Sequence, residues 1–120
     1  MADPTQARNP VPSSASAVVS PSRIWFDRRE LEAILRIYGR LVAEGECRDY
    51  AIGAFSDHAV FNMHRHASEG PTYSIEKRPE LARKQGAFSV VNSTGQILKR
   101  GQDLAQVLKV FEKKRFGVVG

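Results

Sequence analysis

Basic side chains cluster at two places in the second half of the chain, where they could bind phosphate groups. The stretch IEKRPELARKQG, residues 75–86, holds four cations around a proline, with Glu76 and Glu80 as its only acids. A further Lys-Arg pair precedes the glycine at position 101. Cations on loops and strand ends can contact the phosphates of a nucleic acid without reading its bases. The sequence therefore predicts a polyanion-binding surface made of Lys77, Arg78, Arg83, Lys84, Lys99 and Arg100.

The distribution of charge along the chain also favours an anionic partner. The net charge is +5. Residues 23–76 contain seven Arg and nine acids, whereas residues 77–120 contain ten Lys or Arg and three acids. A basic half of this kind suggests association with a polyanion, of which nucleic acid is one example. The alternative interpretation is a solvated basic face that binds nothing specific, so the partner stays unknown.

Histidine and cysteine residues raise the separate hypothesis of a metal site. His64 and His66 are two residues apart on a predicted strand, which places them on one face, and Cys47 and His58 lie in neighbouring segments. A structural zinc ion needs about four ligands, usually in paired spacings, and these residues have no such spacing. We therefore expect no metal and no cofactor. The histidines are expected on an exposed polar strand face.

The sequence shows no motif that indicates an enzyme. No Ser, His or Asp lies in a recognisable strand-turn-helix elbow. The two glycines of NSTGQILKRG lack the spacing of a phosphate-binding loop or of a dinucleotide fingerprint. We therefore predict that the protein is not an enzyme.

The basic residues must be positioned by the elements around them, and the first of these is a helix. Asp27 and Glu30 have the spacing of a capping box, and Gly45 is placed to end the helix. Apolar residues recur at helical intervals between them and form the predicted core face. These residues are Leu31, Ile34, Leu35, Tyr38, Leu41 and Val42.

Alternating patterns then predict about five strands. A hairpin turns at residues 56–57, a third strand carries Tyr73 and Ile75 on one face, and a second hairpin turns at residues 92–95. Pro79 can start one helical turn between the hairpins. A final helix has an apolar stripe of Leu104, Val107, Leu108 and Phe111. The predicted fold class is α+β, an antiparallel sheet of about five strands flanked by an N-terminal and a C-terminal helix, in the order α-β-β-β-β-β-α with both helices on one face.

This order of elements also suggests ways in which the protein could bind a partner. Double-stranded RNA-binding domains share the helix-sheet-helix order, although this chain has two strands more and none of their motifs. An RNA-recognition sheet would need exposed aromatic residues, and Tyr73 and Phe88 are expected in the core instead. The second functional hypothesis is a protein-interaction or homo-oligomeric module. Its sheet edge or bare sheet face would pair with another protein or with a second copy of the chain.

The remaining features concern domains and location. Residues 1–22 hold four of the six prolines and a Ser/Ala-rich run, which predicts a disordered tail, so that residues 23–116 form a single α+β domain. No apolar run is long enough for a membrane span, and no secretory signal is visible. The single Cys47 excludes an internal disulfide. We therefore expect a cytoplasmic protein that does not bind membranes.

Two stretches carry a resemblance to a known family. IWFDRRELEAILRIYGRLVAEGECRDYAIG and YSIEKRPELARKQGAFSVVNSTGQILKRGQDLAQVLKVFEKK resemble a small alphaproteobacterial family catalogued as domain of unknown function 2794. The likeness covers roughly residues 24–114. It implies a bacterial cytosolic protein and assigns no catalytic or binding residue.

Overall fold

Five antiparallel strands and two helices make up the structure, a computed structural model that describes the backbone of residues 22–119 and the side chains of residues 22–112. Apart from Ser22, the predicted disordered tail lies outside the described residues. The elements in chain order are α1 (Arg28–Ala43), β1 (Asp49–Ala54), β2 (Ala59–His64), β3 (Tyr73–Lys77), a 3-10 turn (Pro79–Leu81), β4 (Phe88–Asn92), β5 (Ile97–Gly101) and α2 (Leu104–Val119). The predicted α+β class and order of elements are confirmed.

The predicted capping box is present at the start of α1. The Asp27 carboxylate accepts a hydrogen bond from the Glu30 amide, and the Glu30 carboxylate accepts one from the Asp27 amide, both at 2.8 Å. A side chain that satisfies a free amide in this way is worth about 1 kcal/mol. The helix ends where Gly45 adopts a φ of 79°, a left-handed conformation that glycine reaches without a steric penalty.

The sheet is a simple meander in which every strand lies beside its neighbours in the chain, in the order β1 to β5. The strand register aligns Ile52, Phe61, Ile75 and Val90 in one row across four strands. Phe61, Ile75 and Val90 are fully buried, so this row marks the covered face. The other face carries smaller and polar side chains, among them Asn62 and Ser74.

Both helices cover the same face of the sheet. The Tyr38 ring of α1 lies 5.0 Å from Tyr50 on β1, and the Phe111 ring of α2 lies 5.1 Å from Tyr73 on β3. The strand register places Tyr50 and Tyr73 on one face. Helix α2 also packs on β4 and β5 and beside α1. The predicted stripe of α2, from Leu104 to Phe111, is buried.

The core face of α1 differs from the predicted one. Ile34, Ile37 and Leu41 are buried, whereas Leu35 and Val42 are 38% and 42% exposed. The difference arises because α1 packs against the sheet, where Tyr38 contacts Tyr50 and Phe61, and against α2 beside it. Contact with both turns the buried face of α1 toward Ile37 and leaves the opposite flank, with Leu35 and Val42, outside the core.

Candidate polyanion-binding surface

Lys77 lies on the covered face of β3 and is held by contacts within the fold. Its Nζ donates to the Trp25 carbonyl oxygen at 2.8 Å and to Glu30 Oε1 at 2.7 Å. Its side chain is 17% exposed. The carboxylate that it binds also completes the capping box of α1, so this ammonium group joins β3 to the first helix. These contacts occupy donors that a phosphate would need.

Arg78 follows Lys77 and extends toward the opposite face of the sheet. Its Nε donates to Glu76 Oε1 at 3.3 Å, and its Nη1 lies 3.5 Å from Asp57 Oδ2. The hydrogen bond between Asp57 and His58, together with the positive charge of Arg78, lowers the pKa of the Asp57 carboxyl group. Arg78 is therefore partly neutralised by two carboxylates.

Arg83 and Lys84 lie in the connector between β3 and β4, which is fixed against the end of β5. The Leu81 carbonyl oxygen accepts hydrogen bonds from three amides, those of residues 84, 85 and 86. Gly86 has a φ of 106°, and a Cβ at this position would lie 2.5 Å from the Gly101 carbonyl carbon. The Gln102 side chain donates to the Ala82 carbonyl oxygen. Arg83 and Lys84 are both exposed on this connector.

Lys99 and Arg100 point away from each other on β5. Lys99 is exposed and lines a groove of ≈ 260 Å³ between β5 and α2, together with Leu98, Gln106, Lys109 and Val110. Arg100 is half-buried and pairs in register with Ser89, on the face that the helices leave uncovered. A register shift between Val90 and Val91 marks a bulge in this pairing. The side chains of Lys99 and Arg100 thus lie on different surfaces.

The six cations of the predicted set are therefore divided by the fold. Arg83, Lys84 and Lys99 lie around the junction of β5 and α2, whereas Lys77, Arg78 and Arg100 are directed elsewhere. The structure adds Lys109, which shares the groove with Lys99. Lys109 is absent from the predicted set because no basic residue is adjacent to it in the sequence, although its place beside the buried stripe of α2 predicts an exposed position. We name this surface the basic margin and define it as Arg83, Lys84, Lys99 and Lys109.

The candidate metal ligands are dispersed. His58 Nδ1 lies 2.7 Å from Asp57 Oδ1, His64 Nδ1 lies 3.2 Å from the Glu69 carbonyl oxygen, and His66 follows the end of β2 on an exposed turn. Across residues 22–112, no three His, Cys, Asp or Glu side chains are grouped so as to hold a metal ion. Burial raises the pKa of the Cys47 thiol to about 11, which keeps it protonated at neutral pH.

The two aromatic residues considered for base stacking are in the core. Tyr73 is 6% exposed and Phe88 is 8% exposed. A sheet that stacks bases needs accessible rings on its open face. Any contact of this protein with nucleic acid would therefore rely on cations rather than on these rings.

Comparisons with known proteins match the chain to a family but assign it no activity. A family described as "Protein of unknown function (DUF2794)" matches residues 24–108. No curated protein and no solved structure matches the chain. Within the described part of the chain, neither helix is long and apolar enough to cross a membrane.

Proposed function

The chain belongs to this family of unknown function, DUF2794, and from that premise we propose a non-enzymatic binding module whose basic margin engages a nucleic acid. The supporting observation is the groove between β5 and α2, where Lys99 and Lys109 face a common space with no carboxylate in its lining. Arg83 and Lys84 are exposed on the connector that packs against the end of β5, through Gly86 beside Gly101 and through the hydrogen bond from Gln102 to the Ala82 carbonyl oxygen. None of these four side chains forms an ion pair with another described residue.

The chemistry of the basic margin suits phosphate groups better than bases. Lysine is a flexible point charge with three donors, and three of the four cations are lysines. Such side chains fix the position of a phosphate backbone and carry little sequence information. Binding is therefore expected to tolerate any base sequence.

The expected salt dependence follows from the number of cations. Four phosphate contacts on duplex DNA give a slope of about −3.6 in log affinity against log salt concentration. This slope corresponds to a loss of roughly 100-fold in affinity between ~50 and ~200 mM salt. A shallower slope, closer to zero, would mean that fewer of the four cations contact phosphates.

The test is a fluorescence-anisotropy titration of the full chain with mixed-sequence single- and double-stranded RNA and DNA, at low and physiological salt. The test variant replaces all four residues of the basic margin with alanine. The matched control replaces four exposed arginines elsewhere, at positions 29, 36, 48 and 65, so both variants lose the same charge. We expect binding that weakens with salt, is lost in the test variant and is retained in the control.

Two results would overturn the proposal. Absence of binding to every probe at low salt removes nucleic acid as the partner. Equal weakening in the test variant and in the control shows that total charge, rather than the basic margin, causes the binding.

A further inference from the structure

Among residues 22–119, no strand pairs with the outer side of β1, and β1 lacks the features that usually protect a sheet edge. Its six residues pair with β2 in continuous register, contain no proline, and carry a single charge at the first position, Asp49. The other edge, β5, has a bulge and the cations Lys99 and Arg100. Bulges and charged side chains prevent an edge strand from pairing with another chain. Within the part of the chain that the structure describes, the sheet is therefore protected at β5 and open to pairing at β1.

Few contacts from the described residues reach the outer side of β1. The Arg23 guanidinium donates to the Ala54 carbonyl oxygen at 3.1 Å, and the Ile24 amide donates to the Phe55 carbonyl oxygen at 2.7 Å. Both contacts lie at the C-terminal end of the strand. For residues 49–53, the described part of the chain supplies no hydrogen bond to this side.

An exposed apolar flank of α1 lies beside this edge. Leu35, Tyr38 and Val42 are spaced by three and four residues, which places them along one flank of the helix. The contact between Tyr38 and Tyr50, with ring centroids 5.0 Å apart, shows that this flank faces the β1 side. Leu35, Val42 and Tyr50 are 38%, 42% and 39% exposed, so the flank and the edge form one accessible surface.

Gly39 lies on this flank between Leu35 and Val42, and no described neighbour requires a glycine there. It is exposed, and a Cβ built on it would have no atom within 4 Å. Glycine inside a helix costs about 1 kcal/mol relative to alanine, and nothing around Gly39 in the described structure requires it. A missing side chain allows another helix backbone to approach closely, which supplies a reason for glycine at this position.

We infer that two copies of the chain pair their β1 strands antiparallel about a two-fold axis and form one continuous ten-stranded sheet. Both helices of each copy lie on the same face, so the axis also brings the two α1 flanks toward each other. A single extended peptide would satisfy the amides of β1 but leave Leu35 and Val42 exposed. A second copy supplies both an edge strand and an apolar helix flank, in self-complementary positions. This dimer does not depend on the proposed anion binding.

Sedimentation equilibrium of the full chain tests the dimer. We expect a mass twice the 13.3 kDa of one chain. Gly39→Lys places a long charged side chain between the two helices, and Ala51→Lys protects the edge strand as lysine does in natural sheets. Each substitution is expected to raise the dimer dissociation constant at least about tenfold. The matched control, Ile97→Lys, adds the same charge to an exposed position on β5 and leaves the dissociation constant unchanged.

Folding of the variants is checked by circular dichroism and thermal unfolding. Gly39→Lys meets no neighbour and replaces glycine with a better helix former, so it yields a folded monomer. A wild-type chain that stays monomeric at all concentrations overturns the inference. A strand of a different protein would then be the candidate partner for the β1 edge. A dimer that resists both substitutions, or that only Ile97→Lys weakens, overturns the assigned surface.

Discussion

Lys77 and Arg78 are adjacent in the chain, yet their cations lie on opposite faces of β3. Alternation along a strand predicts this divergence as soon as the strand is recognised. The identity of the partners does not follow from the sequence, because Glu30 is 47 residues away from Lys77. A local cluster of charges therefore predicted the exposed cations Arg83 and Lys84. The same cluster also included Lys77, and its sequence alone could not show that Lys77 joins β3 to α1 through Glu30.

This role of Lys77 predicts a loss of stability when it is replaced. Exposed ion pairs contribute ~0–1 kcal/mol, whereas removing one partner of a buried pair costs ~3–5 kcal/mol. The pair of Lys77 with Glu30 is partly buried, so Lys77→Ala is expected to lower the free energy of unfolding by about 2 kcal/mol. Chemical denaturation measures this change.

The matched control is Lys84→Ala, which removes the same charge from an exposed position. Its effect should stay within about 0.5 kcal/mol. Equal effects of the two substitutions would show that Lys77 has no structural role beyond its charge.

At the scale of elements, the limits of α1 and the turns were predictable because their signals are local. The capping box of Asp27 and Glu30 and the turn at residues 92–95 each depend on contacts within four residues. The orientation of α1 about its own axis, which decides which of its residues are buried, was not predictable. It depends on contact with α2, which begins more than sixty residues after α1 ends. For the same reason the sequence placed Leu35 and Val42 in the core.

The connector between β3 and β4 depends on one glycine. Gly86→Ala combines a positive φ with a Cβ that would lie 2.5 Å from the Gly101 backbone. Gly95 also has a positive φ, of 87°, but a Cβ there meets nothing within 4 Å. A left-handed conformation alone costs about 1–2 kcal/mol for a residue with a side chain. We expect Gly95→Ala to cost about this amount, and Gly86→Ala to cost clearly more.

Chemical denaturation of the two glycine variants provides the comparison. A larger loss of unfolding free energy for Gly86→Ala would show that the connector is packed firmly on β5. Such packing is required if Arg83 and Lys84 are to hold fixed positions in the basic margin. Equal losses would mean that the connector moves away from β5 at little cost.

At the scale of the whole molecule, the two edges of the sheet differ in chemistry. The β5 edge has a bulge, two cations and the groove beside α2, while the β1 edge is apolar and continuous with the exposed flank of α1. Four strand spacings of about 4.8 Å separate the edges, or roughly 19 Å. This distance exceeds the screening length of ~8 Å at physiological salt, so charge at one edge acts only weakly at the other. The two proposed surfaces should therefore be independent.

A single series of measurements at different ionic strengths distinguishes dimerisation through β1 from DNA binding at the basic margin. Backbone hydrogen bonds and apolar contacts hold the proposed dimer, so its sedimentation mass should stay constant between ~50 and ~200 mM salt, while affinity for duplex DNA falls roughly 100-fold. The alanine variant of the basic margin should remain dimeric, and Gly39→Lys should bind DNA per protomer at least as tightly as the wild type.

A dimer that dissociates as salt rises would show that charge, rather than the apolar flank and the β1 edge, joins the two copies. Weaker DNA binding by Gly39→Lys would show that the two edges act together, because a dimer presents two basic margins to one polyanion and gains affinity from both.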